Sequence, residues 1–394
     1  MTVTSRNPRA ASSPTILPGV DASTLTRGLY STDASLYRIV PEGVATPRDA
    51  DELAALVDAA LAAGVPLTLR GAGTSCAGNA VGPGVVVDVA RHLTSIRALD
   101  PEARTADVDP GVVQDVLSRR AQRDGLRFGP DPSTFTRCTI GGMIGNNACG
   151  PRALGYGRTS DNVIALDVIT GTGERLRVDA RTDLRTSDSP TLRALHALVM
   201  ANLGLIRTQF GRFGRQVSGY SLEWLLPENG FDVAKFLAGT EGTLGVITGA
   251  TVRLVADAPA KTMVALGYPT MPEAADAMPA ILPFRPTAVE GMDARIVDVV
   301  RRTLGESAVP ALPEGAGWVF VELVGEHGAE LASRAADLVA SSGCLEGWVV
   351  ADPAIASALW KIRSDGAGLA GVSLERPAYA GWEDAAVPPE KLGA

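Results

Sequence analysis

The residues best suited to chemistry in this 394-residue chain are glycines, gathered in three stretches that offer backbone rather than side chains. The first is Arg70-Gly71-Ala72-Gly73-Thr74-Ser75-Cys76-Ala77-Gly78-Asn79, directly after an expected strand. Successive N–H groups in such a loop form an anion-binding concavity, and Thr74 and Ser75 add hydroxyl donors, so a diphosphate can be held without a metal. The stretch lacks the third glycine and the following helix of a Rossmann dinucleotide site. The second runs through Gly129-Pro130-Asp131-Pro132-Ser133 to Thr139-Ile140-Gly141-Gly142-Met143-Ile144-Gly145-Asn146-Asn147-Ala148-Cys149-Gly150. Two Cβ atoms missing in succession at Gly141 and Gly142 leave room for a flat group against the backbone. Asn146 and Asn147 offer amides to a ring edge or a polyol hydroxyl. The third, Gly239-Thr240-Glu241-Gly242-Thr243-Leu244-Gly245-Val246-Ile247-Thr248, enters a strand, with backbone groups of Gly242 and Ile247 and the Glu241 carboxylate placed to meet a ribose or ribitol. Any one of these can be a ligand-free turn; three in one domain point to a shared ligand.

The elements that must position these loops follow from hydrophobic period. Thr46-Pro47 opens a helix whose Leu53, Leu56, Val57, Ala60 and Leu61 share a face, ending at Gly64. Strands are expected at 66–70, 85–89 and 104–108, then a helix over 111–124. Residues 128–156 form a long Gly-, Pro- and Asn-rich loop, a length that is usually functional. A hairpin over 163–178 turns at Gly171-Thr172-Gly173, and a helical stretch covers 190–210. After a linker at 257–260 the pattern changes to strand 262–267, helix 272–282, strand 288–292, helix 293–304, strand 318–324 and helix 329–341. That alternation reads as a second, ferredoxin-like α+β domain.

Composition narrows the classes. Hydrophobic residues make up 46% and charged residues 20%, so the chain is globular, and a net charge of −8 argues against nucleic acid as a partner. Cys76, Cys138, Cys149 and Cys344 form no Cys-x-x-Cys pair, which leaves no metal site by spacing and suits a reducing cytoplasm. Residues 1–35 hold no apolar run long enough for a signal peptide or a transmembrane segment and read as an arm, mobile or docking.

The three loops, together with Pro41-x-Gly43-Val44-x-x-Pro47 and Gly219-Tyr220, resemble flavoproteins of the vanillyl-alcohol oxidase / p-cresol methylhydroxylase (PCMH) type, in that family's order. Within it the chain looks most like the D-lactate, glycolate and D-2-hydroxyglutarate dehydrogenase branch. The resemblance implies an α+β fold: a PCMH-type FAD-binding domain of two α/β subdomains at 36–256, and an incomplete ferredoxin-like cap that carries the substrate at 261–394. It implies FAD bound by Arg70, Gly71, Ala72, Gly73, Thr74, Ser75, Gly78, Asn79, Pro130, Ile140, Gly141, Gly142, Asn146, Asn147, Gly150, Glu241, Gly242, Gly245 and Ile247. Relatives with covalent flavin often carry a histidine where Thr74 stands, so the FAD is expected to be non-covalent.

In the cap, Trp360-Lys361-Ile362-Arg363 resembles a motif whose arginine grips a substrate carboxylate, a task for which the Arg fork is suited. Gly381-Trp382-Glu383-Asp384-Ala385-Ala386-Val387-Pro388 resembles a second cap motif, with Trp382 where the D-2-hydroxyglutarate branch often has lysine. The resemblance also implies a histidine-rich site beyond residue 394 and a longer enzyme fused to an iron–sulfur region. His92, His196 and His327 match no such pattern, so no general base is assigned. The function implied is oxidation of a small 2-hydroxy acid by hydride transfer to flavin, with an unidentified electron acceptor. A flavin-binding module without turnover and an NADPH-dependent flavin reductase on the same fold remain as alternatives.

Overall fold

The computed structural model describes residues 17–214, 216–217, 219–372 and 386–394, with side chains in the last long helix described as far as Ile362. The first subdomain is built from β1 (Val20–Asp21), α1 (Thr24–Leu29), β2 (Gly43–Ala45), α2 (Ala50–Ala63), β3 (Leu67–Arg70) and β4 (Val85–Asp88). Its sheet order is β1-β2-β4-β3; β2, β4 and β3 are parallel and β1 is antiparallel at the edge. Parallel strands need a crossover, and α2 carries the chain from β2 to β3 on either side of β4, burying Leu53, Leu56, Val57 and Ala60 against Val85 and Val87. The helix begins three residues later than Thr46-Pro47 suggests. Asp49 accepts from the Glu52 N–H at 2.8 Å while Glu52 reaches back to the Arg48 N–H, and this capping pair sets the start. Residues 17–35, expected to be an arm, are partly packed here: β1 joins the sheet and the Tyr30 hydroxyl donates to Asp88 at 2.5 Å.

The second subdomain comprises β5 (Ile96–Asp100), β6 (Thr105–Val108), α3 (Gln114–Ala121), β7 (Leu126–Phe128), α4 (Ile140–Asn146), α5 (Ala153–Tyr156), β8 (Val163–Thr170), β9 (Arg175–Asp179), α6 (Pro190–Ala201), α7 (Leu203–Gln209), α8 (Val233–Leu237) and β10 (Gly245–Ala256). The antiparallel order is β5-β6-β10-β8-β9, with β7 on the C-terminal end of β10. Two expectations change. The long loop at 128–156 contains α4 and α5; burial of Ile140, Met143 and Ile144, at helical spacing, outweighs the poor helix propensity of the three glycines Gly141, Gly142 and Gly145. The helical stretch at 190–210 is two helices that break at Asn202.

The cap follows as β11 (Ala260–Tyr268), α9 (Met271–Asp276), α10 (Met278–Ile281), β12 (Ala288–Asp293), α11 (Ala294–Leu304), β13 (Gly317–Gly325), α12 (Gly328–Ser341), β14 (Glu346–Val350) and α13 (Pro353–Val372). The antiparallel order β12-β13-β11-β14 is the ferredoxin-like order with α11 inserted between the second and third strands. Period-two alternation splits the core. Val264, Leu266, Val319 and Val321 pack under α9, α10 and α12, whereas Met263, Ala265, Trp318 and Phe320 pack under α11 and α13. Among the described residues no helix is long and apolar enough to cross a membrane.

A charged joint ties the cap to the cofactor domain. Arg152, just before α5, donates through Nε and Nη2 to both oxygens of Glu322 on β13, at 2.8 and 2.6 Å, and through Nη1 to Asp131. The Thr287 hydroxyl donates to Glu322 at 2.8 Å, and the Gly155 N–H donates to the Thr287 carbonyl at 3.1 Å. Burial pushes the Glu322 carboxyl up, but Arg152 and Thr287 outweigh it and hold the group below the ordinary glutamate value of 4.5. Burial keeps Asp131 above its ordinary value despite Arg152. Glu322 therefore contributes stability above pH 4.5 that is lost as pH falls through its depressed folded value, and Asp131 acts in the opposite sense. Glu322→Ala is expected to cost about 3–5 kcal/mol at pH 7. Denaturant unfolding of the two proteins as a function of pH should show this gap narrowing below pH 4.5; a gap of constant size would contradict the assignment.

Candidate FAD site

The three glycine stretches converge on α4. Thr139 caps the helix, accepting from the Gly142 N–H at 3.2 Å, and is 1% exposed. Gly71 of the first loop lies against it, so that a Cβ there would collide with the Thr139 hydroxyl. At the other end the helix leaves carbonyls without helical partners, and the third loop satisfies two of them. The Gly239 N–H donates to Ile144 and the Glu241 N–H to Gly145, both at 2.8 Å. Tyr220 extends the contact through a 2.7 Å hydrogen bond to the Thr243 hydroxyl.

Around this hub the expected residues separate into open and occupied. Ala72, Gly142, Asn146, Glu241 and Gly242 are exposed. Gly142 and Asn146, four apart, share the outward face of α4, and a Cβ on Gly142 would meet only the Thr139 hydroxyl, at 3.1 Å. Glu241 and Gly242 hold the left-handed region at φ 55° and 73°. None of the amide N–H groups of Gly71–Ser75 donates a hydrogen bond among the described residues. That row of unspent donors, with the open Gly142 face beside it, fits a diphosphate-bearing flat cofactor.

Other candidates are committed to building the cradle. Arg70 donates through Nη1 to the carbonyls of Thr32 and Ala80, at 2.9 and 3.1 Å, and stacks over Tyr30 at 5.3 Å. Its guanidinium fills the space a Cβ on Gly73 (φ +68°) would need. Ser75 Oγ donates to Asn79 Oδ1 at 2.9 Å and accepts from the Ala77 and Asn79 N–H groups. Tyr37 packs on Gly78. Thr74 is half-buried. Asn147, expected beside Asn146 at the ligand, is the left-handed cap of α4 and its Oδ1 accepts from the Ser160 N–H at 2.9 Å. Ile140 and Pro130 are buried, leaving backbone for a ligand; the Pro130 carbonyl accepts from Gln114 Nε2 at 3.0 Å. Gly141 abuts Pro110, Gly150 crosses the Asp131 backbone, and a Cβ on Gly245 would come within 3.0 Å of the Ile169 carbonyl. Ile247 pairs with Val168 beside a bulge in β10.

Burial pushes the Cys138 thiol up to about 11, so it is protonated at neutral pH. His196 stacks near Phe231 at 5.3 Å and His327 precedes α12. Arg363 lies in α13, but its side chain is outside the described residues, as are Trp382 and its neighbours 381–385. Among the described residues no group of His, Cys, Asp and Glu could hold a metal ion. Gln114, Asp131, Thr139, Arg152 and Glu322 were not among the expected site residues; an acid within the apolar strand 318–324 is the one that sequence flags, because a buried carboxylate needs a partner.

The chain matches the FAD binding domain family over residues 41–179 and the FAD linked oxidases, C-terminal domain family over 258–394. It therefore belongs to the FAD-linked oxidases, and its cofactor is FAD. Among curated relatives it is 31% identical to D-2-hydroxyglutarate dehydrogenase of Pseudomonas putida, over 95% of this chain and 40% of that protein. It is 29% identical to D-lactate dehydrogenase of Archaeoglobus fulgidus, over 89% of this chain and 67% of that protein. The glycolate oxidase subunit GlcD of Bacillus subtilis is 32% identical over 69% of this chain and 50% of its own length. The chain thus spans about two fifths of the D-2-hydroxyglutarate dehydrogenases it matches. In fold it is similar to alkyldihydroxyacetonephosphate synthase, with a TM-score of 0.60 at 16% identity, over 91% of this chain and 62% of that one.

Gly142→Leu should fold, since no backbone opposes the new side chain, yet it would occupy the open face of α4. FAD binding at least tenfold weaker (about 1.4 kcal/mol) with unchanged apoprotein melting is the expected result of titrating FAD into both proteins; equal affinities would remove this face from the site.

Proposed function

We propose that this chain is the FAD-binding and cap-bearing part of an enzyme that oxidises a small 2-hydroxy acid of the D-lactate, glycolate or D-2-hydroxyglutarate class. The observation that carries the reading is the meeting of three glycine loops on α4, in a domain tied through Arg152 to a ferredoxin-like cap, in a chain whose curated relatives bear those dehydrogenase names. When bound, FAD supplies acceptance of hydride from the carbon that bears the hydroxyl. The residues of the chain supply binding and orientation. The amides of Gly71–Ser75 hold the diphosphate, and the Gly142–Asn146 face receives the ring. Arg363 anchors the substrate carboxylate by a paired hydrogen bond. Thr74 in the first loop, and a Cys138 thiol kept protonated by burial, support a non-covalent cofactor. The absence of disulfides among the described cysteines supports a reducing compartment, the cytoplasm. The electron acceptor is left unassigned.

The test is the visible spectrum of the purified chain, before and after denaturation. A flavin spectrum that moves to the supernatant is expected. Anaerobic addition of D-lactate, glycolate or D-2-hydroxyglutarate should then bleach the bound flavin, and NADPH should not. Bleaching by NADPH alone would favour a flavin reductase. Bound flavin that none of these reduces would make the chain a binding module without turnover.

A further inference from the structure

We infer that Arg152 is a positioning residue that couples the cap to the cofactor loop at 129–132, so that docking of the cap and binding of FAD support one another. The inference rests on the reading that this loop, with Pro130, borders FAD. Asp131 is 8% exposed and is held twice by Arg152, from the backbone N–H at 3.1 Å and from Nη1. The opposite edge of the same guanidinium is bonded through two nitrogens to Glu322 in the cap. Glu322 alternates with Trp318 and Phe320 on one face of β13, so its carboxylate sits at an apolar layer and takes its hydrogen bonds from Arg152 and Thr287. A planar fork spanning two buried carboxylates leaves little freedom for either to move alone.

Close packing reinforces the charge path. Gly129 abuts the Tyr156 side chain, where a Cβ would come within 2.8 Å. Gly150, at φ +116°, crosses the Asp131 carbonyl. On the far side of α5, a Cβ on Gly155 would come within 2.7 Å of Thr287 Cα. The segment 150–156 is thus wedged between cofactor loop and cap with no room for a methyl group at three contacts. A displacement of β13 must be taken up by Arg152 and passed to Asp131, and coupling of this kind is reciprocal.

The experiment is a double-mutant cycle on the full chain with Asp131→Asn and Glu322→Gln. FAD dissociation constants are measured by quenching of flavin fluorescence, and apoprotein melting is followed in parallel. Glu322→Gln, a cap substitution, should weaken FAD binding about fivefold or more, as should Asp131→Asn. The double variant should be little worse than the weaker single, because either change breaks the same path. If Glu322→Gln lowers apoprotein melting while FAD affinity stays at the wild-type value, Arg152 is only a structural tie and the inference falls. It falls equally if the two effects multiply independently. Should Glu322→Gln not fold, Thr287→Val removes one hold on Glu322 and is judged by the same readouts. Wild-type protein that takes up no FAD would overturn the cofactor site itself, an outcome visible before any variant is made.

Discussion

The constraint on which the cofactor domain depends is the need to satisfy the two ends of one short helix. A seven-residue helix has few internal hydrogen bonds relative to its orphan groups, so α4 is held by what meets its ends. Thr139 closes the first turn and presses on the first glycine loop at Gly71. The amides of Gly239 and Glu241 close the last. Satisfying that helix therefore brings together three loops that are up to 170 residues apart in the chain (residues 71 to 241). The glycines serve two ends. Gly71 and Gly141 permit close backbone approach, whereas Gly142 keeps a surface clear.

The same division explains what was legible in the sequence. The loops were visible because glycine clusters are rare and chemically suggestive, and the strands because Val85–Asp88 and much of β11 and β13 are nearly continuous apolar runs. The start of α2 was misplaced because Thr46-Pro47 and Asp49-x-x-Glu52 both signal a cap, and only the second makes the hydrogen bonds. The helix α4 was read as loop because intrinsic propensity ranks glycine low, while Ile140, Met143 and Ile144 gain more by burial. The roles of Arg70, Ser75 and Asn147 were harder to see. Each is a polar residue of ligand-binding type that is spent holding the cradle, and sequence cannot tell which partner a polar group will find.

The joint between domains was illegible for a related reason. Arg152 and Glu322 are 170 positions apart, and no local pattern connects them. Glu322 alone carried a hint, an acid in a strand otherwise fit for the core. Burying that acid without Arg152 would be costly, so the cap and the loop at 129–132 are each incomplete as polar structures until they meet.

The twelve-residue strand β10 begins at the third glycine loop and ends at the linker into the cap, a reach of about 40 Å at ordinary strand rise. The strand thus runs from the cofactor domain to the cap, pairing along its length with β8, β6 and β7 and interrupted by irregularities after Ile247 and Thr251. Its consequence concerns how such proteins diversify. Changes confined to the cap's outer helices or loops leave β10, and the contacts of the third glycine loop with α4 at its start, untouched. A lengthening of the short linker that follows Ala256 would instead change where the whole cap sits. Variation is therefore cheap at the periphery of the cap and severe at its hinge.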